Sequence, residues 1–131
     1  MIGLDTNILV RYFTQDDDAQ YAAAAKVINA LTPNRPGFVS LVVIAELVWV
    51  CEFSYHCKKH EIEHVVEKLL RSQELVVERA DIVAGSLSKF RHSRANFADC
   101  LIERCSHAAD CEYTLTFDKR AVTVGMQLLR T

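Results

Sequence analysis

Short apolar segments alternate with longer helix-forming segments along this chain, and that alternation restricts the possible folds more than any other feature. Four short segments are predicted to be strands: Ile2–Leu4, Phe38–Val39, Leu75–Val77 and Tyr113–Phe117. Between and after them, apolar residues recur at helical spacing. Short strands separated by helices favour a parallel sheet, so we predict an α/β fold.

The predicted helices cover residues 8–13, 19–31, 41–53, 60–71, 80–90 and 97–109, with a short helix after Asp118. Ser40 is a candidate N-cap for the third of them. The segment from Leu41 to Phe53 is apolar on nearly all sides. Periodicity therefore cannot distinguish helix from strand there, and its length favours helix.

Length and composition indicate one globular domain over residues 1–131. Half of the residues are hydrophobic and 24% are charged, which excludes a disordered or low-complexity protein. The longest apolar run is too short to span a bilayer. No basic region precedes the apolar N-terminal stretch, so we predict neither a signal peptide nor a membrane partner.

The cysteines indicate the cellular compartment of the protein, and the net charge limits how it could bind nucleic acid. The five cysteines are an odd number without a CxxC pair, which favours reduced thiols, most of them in the core of a cytoplasmic protein. The net charge of −2 excludes binding of nucleic acid by overall charge alone. Contact with nucleic acid would need a local basic patch or metal ions.

Three acidic residues occupy positions that suit either ligand binding and catalysis or the capping of a helix. Asp5 and Asp118 each follow a predicted strand, and ligands of parallel sheets bind beyond the carboxyl ends of the strands. Asp is also an ordinary N-cap at such a junction. The pattern Asn96-x-x-Asp99 has the same ambiguity, because it fits a capping box.

Glu46 is harder to explain as a structural residue. Its neighbours three and four positions away are Val42, Val43, Trp49 and Val50, so we expect its carboxylate beside the core. Such a group needs a partner cation, a metal or a raised pKa. Four acids gathered in one pocket would repel one another without a cation, and carboxylate oxygens suit Mg²⁺ and Mn²⁺. Such ions activate water and stabilise the charge on a phosphodiester.

Four segments in order resemble the PIN domain, and most closely the VapC-type toxins of prokaryotic toxin–antitoxin pairs. They are Asp5-Thr6-Asn7, Ser40 to Leu47, Asn96 to Ile102 and Thr116-Phe117-Asp118-Lys119. The resemblance covers essentially the whole chain. It implies a three-layer α/β/α sandwich with a short-stranded, mostly parallel central sheet, and a Mg²⁺- or Mn²⁺-dependent endoribonuclease.

The resemblance also implies site residues and partners. Asp5, Glu46, Asp99 and Asp118 would be the catalytic metal ligands, supported by Thr6, Asn7, Asn96 and Thr116. A homodimer and a cognate antitoxin, whose tail blocks the acidic cleft, are expected. Many such toxins have Asp where this chain has Asn96, which removes one negative charge and leaves one or two ions as alternatives.

Several basic residues lie near these acids in the sequence and are candidate contacts for RNA phosphates. They are Arg11, Lys89, Arg91, Arg94, Lys119 and Arg120. The alternative is ordinary surface charge, and for the stretch from Lys89 to Arg94 a basic helix C-terminus that complements the macrodipole.

His56, His60 and His64 are spaced four positions apart, but a polar helix face explains them better than a zinc site does. Aromatic residues are expected in the core or a dimer interface rather than as base-stacking platforms. This set comprises Trp49, Phe13, Phe38, Phe53, Phe90, Phe97 and Phe117.

Two other functions remain open. A phosphatase with an aspartyl nucleophile would use a DxD pattern after the first strand, and position 7 is Asn here. A non-catalytic PIN-like module that binds RNA or protein is the stronger alternative. Binding of Mn²⁺ distinguishes the metal-dependent nuclease from that module.

Overall fold

The computed structural model describes residues 1–131, which form seven helices and five short strands. The chain divides into two compact units, unit 1 from Met1 to Ala80 and unit 2 from Asp81 to Thr131. No helix has the length and apolarity needed to cross a membrane.

Unit 1 contains a parallel three-stranded sheet in the order β1-β2-β3. The strands are β1 (Ile2–Gly3), β2 (Gly37–Val39) and β3 (Leu75–Val77), with Ile2 opposite Gly37 and Gly37 opposite Leu75. Four helices connect the strands: α1 (Thr6–Thr14), α2 (Asp18–Asn29), α3 (Leu41–Phe53) and α4 (Lys59–Arg71).

The core of unit 1 forms where α1 packs against α2 and α3, and where α3 packs against α4. Leu9, Ile44, Leu47, Val66 and Leu69 are almost completely buried there. The Ser40 side chain accepts a hydrogen bond from the Val43 N–H, as expected for the N-cap of α3. Capping and burial of one face together position α3 after the second strand.

Unit 2 contains α5 (Ala80–Arg91), α6 (Phe97–Ala108) and the short α7 (Lys119–Val122). Strands β4 (Leu115–Thr116) and β5 (Gln127–Leu128) form a parallel two-stranded sheet. The rings of Phe90 and Phe97 meet edge to face with centroids 5.5 Å apart, and both side chains are buried. Two aromatic rings thus join α5 to α6 in the core.

The predicted fold class is confirmed: the molecule is a helix-rich α/β protein with parallel strands, consistent with a three-layer α/β/α fold. Predicted helices and strands match the observed ones within about two residues at each end, as is usual for element boundaries. Strand β5 (Gln127–Leu128) was not predicted. The single-domain interpretation stays a prediction.

The expectation that most cysteines are core residues is wrong. The five cysteines form no disulfide, and only Cys51 and Cys100 are buried. Burial raises the pKa of Cys51 to about 12, so this thiol remains protonated at neutral pH.

Candidate active site

Thr6 links two of the predicted site carboxylates in unit 1. Asp5 is the N-cap of α1, and its side chain accepts a hydrogen bond of 2.7 Å from the Thr6 N–H. The Thr6 hydroxyl donates a hydrogen bond to Oε1 of Glu46. Thr6 is itself buried, whereas Asp5 and Glu46 are exposed. One buried residue therefore positions an acid from α1 and an acid from α3.

The expectation that Glu46 lies beside the core is wrong. Helix α3 buries the face formed by Ile44, Leu47, Val48 and Cys51, and Glu46 lies on the exposed side. Because every residue of α3 except Glu46 and Glu52 is apolar, its hydrophobic pattern does not show which face is buried. Packing against α1 and α4 decides it.

Asp5 and Glu46 line a cleft of about 610 Å³ in unit 1. Thr6, Asn7, Arg11 and Trp49 also line this cleft. Trp49 lies one helical turn beyond Glu46, so the two side chains share a face of α3. This spacing could have placed Trp49 near the site from the sequence.

Arg11 is held in this cleft by an acidic partner. Its Nη1 lies 3.0 Å from Oδ1 of Asp16 and 3.4 Å from the Tyr55 hydroxyl, and Nε donates to Gln20. The Tyr55 hydroxyl donates to the other oxygen of Asp16 at 2.8 Å. The hydrogen bond to Asp16 raises the pKa of Arg11, so the guanidinium is a fixed positive charge.

Asp99 in unit 2 has an unsatisfied oxygen. Its backbone N–H donates to Oδ1 of Asn96 at 2.9 Å, which confirms Asn96 as the N-cap of α6. Oδ2 of Asp99 is buried and has no hydrogen-bond partner. Burial first, and then the charge of Asp118, raise the pKa of Asp99, opposed by the Asn96 backbone and by Arg120. A cation is the kind of ligand that would satisfy this oxygen.

Asp118 is held by the turn that begins α7. Its side chain accepts a hydrogen bond of 2.8 Å from the Arg120 N–H, and its own N–H donates to the Thr116 hydroxyl at 3.0 Å. The Arg120 Nε lies 3.6 Å from the Asp118 carboxylate. Thr116 therefore fixes the backbone that carries Asp118.

The basic candidates differ in exposure, and Lys89 forms an ion pair within unit 2. Nζ of Lys89 donates to the Val124 carbonyl at 2.7 Å and lies 2.9 Å from Oε1 of Glu103. The charge of Lys89 is therefore ion-paired within unit 2. The pairing of Lys89 with Glu103 was missed, because no local spacing connects residues of α5 and α6. Arg91, Arg94, Lys119 and Arg120 are exposed. Their contact with RNA stays a prediction.

The observed residues fit a hard divalent cation. All four predicted ligands are carboxylates, which Mg²⁺ and Mn²⁺ prefer, and Asp99 supplies an unpaired oxygen. Neither unit groups three or more His, Cys, Asp or Glu side chains into a metal site of its own. His60 and His64 lie on the exposed side of α4, and His56 precedes the helix. The joint role of the four acids remains a prediction.

Comparison with known proteins gives two findings. A family model described as PIN domain matches residues 2–125. A similar curated protein is the VapC ribonuclease of Aquifex aeolicus (strain VF5), which is 22% identical over 124 residues. The alignment covers 95% of this chain and 92% of that relative.

Proposed function

Since this chain belongs to the PIN domain family, we propose that it is a Mg²⁺- or Mn²⁺-dependent endoribonuclease and the toxin of a toxin–antitoxin pair. The name of the relative, VapC ribonuclease, supports RNA as the substrate. The cognate antitoxin, a homodimer and a cytoplasmic location follow from the resemblance to VapC-type toxins.

The observation that carries the proposal is the buried, unpartnered Oδ2 of Asp99. Leaving a buried polar atom without a partner costs about 1–3 kcal/mol. A resident cation would remove this penalty, and Asp118 contributes further negative charge at the same end of α6. A buried carboxylate oxygen near a second negative charge destabilises the metal-free chain, and a bound cation would compensate for it.

Each proposed residue has a defined task. Asp5, Glu46, Asp99 and Asp118 would hold one or two ions, while Thr6 orients the first two acids and Thr116 orients Asp118. A bound divalent ion activates water and stabilises negative charge on the phosphate being cleaved. Arg11 lines the same cleft as Asp5 and Glu46, and its guanidinium, which is paired with Asp16, would have to share or exchange that partner to contact a phosphate oxygen.

The test is cleavage of single-stranded RNA in Mn²⁺ by the parent and by Asp5→Asn and Asp99→Asn. We expect kcat/KM to fall at least about 100-fold in each variant, a typical effect of losing one electrostatic contact to the transition state. Asp110→Asn is the control, because Asp110 is exposed in a left-handed conformation that Asn also adopts.

Calorimetry with Mn²⁺ separates this function from its main alternative. Saturable binding to the parent that weakens at least about tenfold in Asp99→Asn, or about 1.4 kcal/mol, is expected. Cleavage as fast in Asp5→Asn and Asp99→Asn as in the parent would contradict the proposal. A parent that neither binds Mn²⁺ nor cuts RNA would favour the non-catalytic binding module.

A further inference from the structure

Trp49 lies on the exposed side of α3, where the sequence analysis expected a core or interface residue. Its side chain is 55% exposed, and its ring centroid is 5.4 Å from that of Phe53. Val42 and Phe53 are also exposed and follow the same helical spacing as Glu46 and Trp49. Trp49 and Phe53 therefore form an exposed aromatic pair, a surface suited to contact with a ligand or partner.

The surroundings of Trp49 indicate which kind of ligand. The indole lines the same cleft as Asp5, Glu46 and Arg11. One cleft of unit 1 therefore combines an aromatic ring, two carboxylates and a guanidinium held by Asp16. A nucleotide presents the matching parts, a flat base and a phosphate, and unpaired RNA bases stack on aromatic side chains.

We infer that Trp49 is a substrate-positioning residue whose indole stacks on an unpaired RNA base beside the Asp5 and Glu46 carboxylates. The inference deepens the proposed function, since RNA as the ligand rests on it. Stacking requires a base that is free of its neighbours, so single-stranded RNA binds better than duplex. The identity of the stacked base would then contribute to the choice of cleavage position.

A second copy of this chain is the main competing occupant of the exposed apolar surface. Interface cores of protein complexes are depleted in charged residues. Trp49 instead shares its cleft with two carboxylates and an arginine. That composition favours a charged, partly aromatic ligand such as RNA over a second protein surface.

The first measurement uses the fact that Trp49 is the single tryptophan of the chain. The parent is titrated at low salt, in EDTA to prevent cleavage, with RNA of about ten nucleotides, a length within the usual site size. We expect saturable quenching of the indole fluorescence by single strands and weaker quenching by a duplex of the same length. Absence of quenching under conditions where labelled RNA binds would overturn the inference.

The second measurement compares variants by the anisotropy of labelled RNA. Trp49→Ala is expected to weaken binding at least about fivefold, the lower end of the effect of losing one stacked base. Trp49→Phe, which keeps a ring, should recover most of the affinity. Tyr113→Ala is the control, because Tyr113 is 57% exposed and lies in unit 2. Equal affinities of Trp49→Ala and Tyr113→Ala would contradict the inference.

Three further readouts distinguish this inference from the proposed function and from self-association. A parent that shows quenching and Trp49-dependent binding but never cuts RNA in Mn²⁺ would support stacking and overturn the nuclease. A change in sedimentation of Trp49→Ala with unchanged RNA affinity would assign the ring to self-association instead. In the cleavage reaction, we expect Trp49→Ala to raise KM more than it lowers kcat.

Discussion

Two carboxylates of α6, one helical turn apart, have opposite surroundings. Burial alone would raise the pKa of Glu103, but hydrogen bonds and charges from Arg104 and Lys89 outweigh it and the pKa is lowered. Asp99 has a buried oxygen without a partner, and burial together with the charge of Asp118 raises its pKa. The paired acid stabilises the fold. The unpaired acid destabilises it, which separates a structural carboxylate from a candidate functional one.

Replacing the paired acid gives the largest expected effect on stability. Glu103→Gln leaves Lys89 and Arg104, both partly buried, without their countercharge. We expect the free energy of unfolding at neutral pH to fall by about 2 kcal/mol in chemical denaturation. Glu112→Gln, at an exposed position of the same unit, is the control and should change little.

The same variant has a defined pH dependence. Since the folded protein lowers the pKa of Glu103 below its ordinary 4.5, its stabilising contribution is complete at neutral pH and is lost as the pH falls through the lowered value. Parent and Glu103→Gln should therefore converge in stability on acidification. A difference that persists unchanged to low pH would show that packing, rather than charge, explains the effect.

Glu46 is held by the single hydroxyl of Thr6. Removing that hydroxyl should change the free energy of unfolding by less than the replacement of Glu103 does. Thr6→Val removes the donor to Glu46 but keeps a buried branched side chain. We expect a loss of about 1.5 kcal/mol in the free energy of unfolding, typical of a hydrogen bond to a charged group. Thr6→Ser restores the hydroxyl and should recover part of that loss. Equal stability of the Val and Ser variants would exclude a role for the hydrogen bond.

Replacing the unpaired acid should have the smallest effect, and of opposite sign. Asp99→Asn removes a charge that burial disfavours, and this penalty grows as the pH rises above the ordinary Asp value of 3.8. We expect the metal-free variant to be about 1 kcal/mol more stable at neutral pH, seen as a Tm higher by about 4 °C.

Thermal unfolding in Mn²⁺ completes this comparison. A metal concentration that saturates the parent should raise the Tm of the parent clearly more than that of Asp99→Asn. Lower stability of metal-free Asp99→Asn would mean that Asp99 has a structural role, and the contrast with Glu103 would fail.

Local sequence signals predicted the secondary structure well. Ser40 and Asn96 cap helices at the expected positions, because an N-cap needs only its own side chain and the following turn. Asp5 and Asp118 likewise begin helices after strands. The ambiguity between cap and metal ligand persists, because both roles place a carboxylate at the same junction.

Long-range features could not be predicted in the same way. The face of α3 that carries Glu46, the pairing of Lys89 with Glu103 and the strand Gln127–Leu128 all depend on residues distant in sequence. Because every residue of α3 except Glu46 and Glu52 is apolar, its hydrophobic pattern fits several packing arrangements, and the sequence expectation for Glu46 failed for that reason.

The sequence by itself determined the alternation of strands and helices, the helix caps and the four acids that resemble a PIN site. The alternation and the caps depend on interactions between neighbours along the chain, whereas the site assignment of the four acids is what the resemblance to the family implies. Tertiary structure alone decided that the face of α3 with Glu46 and Trp49 lines a cleft together with Asp5, and that one oxygen of Asp99 is buried without a partner. Burial and charge pairing are set by residues far apart in sequence, and folding alone brings those residues together.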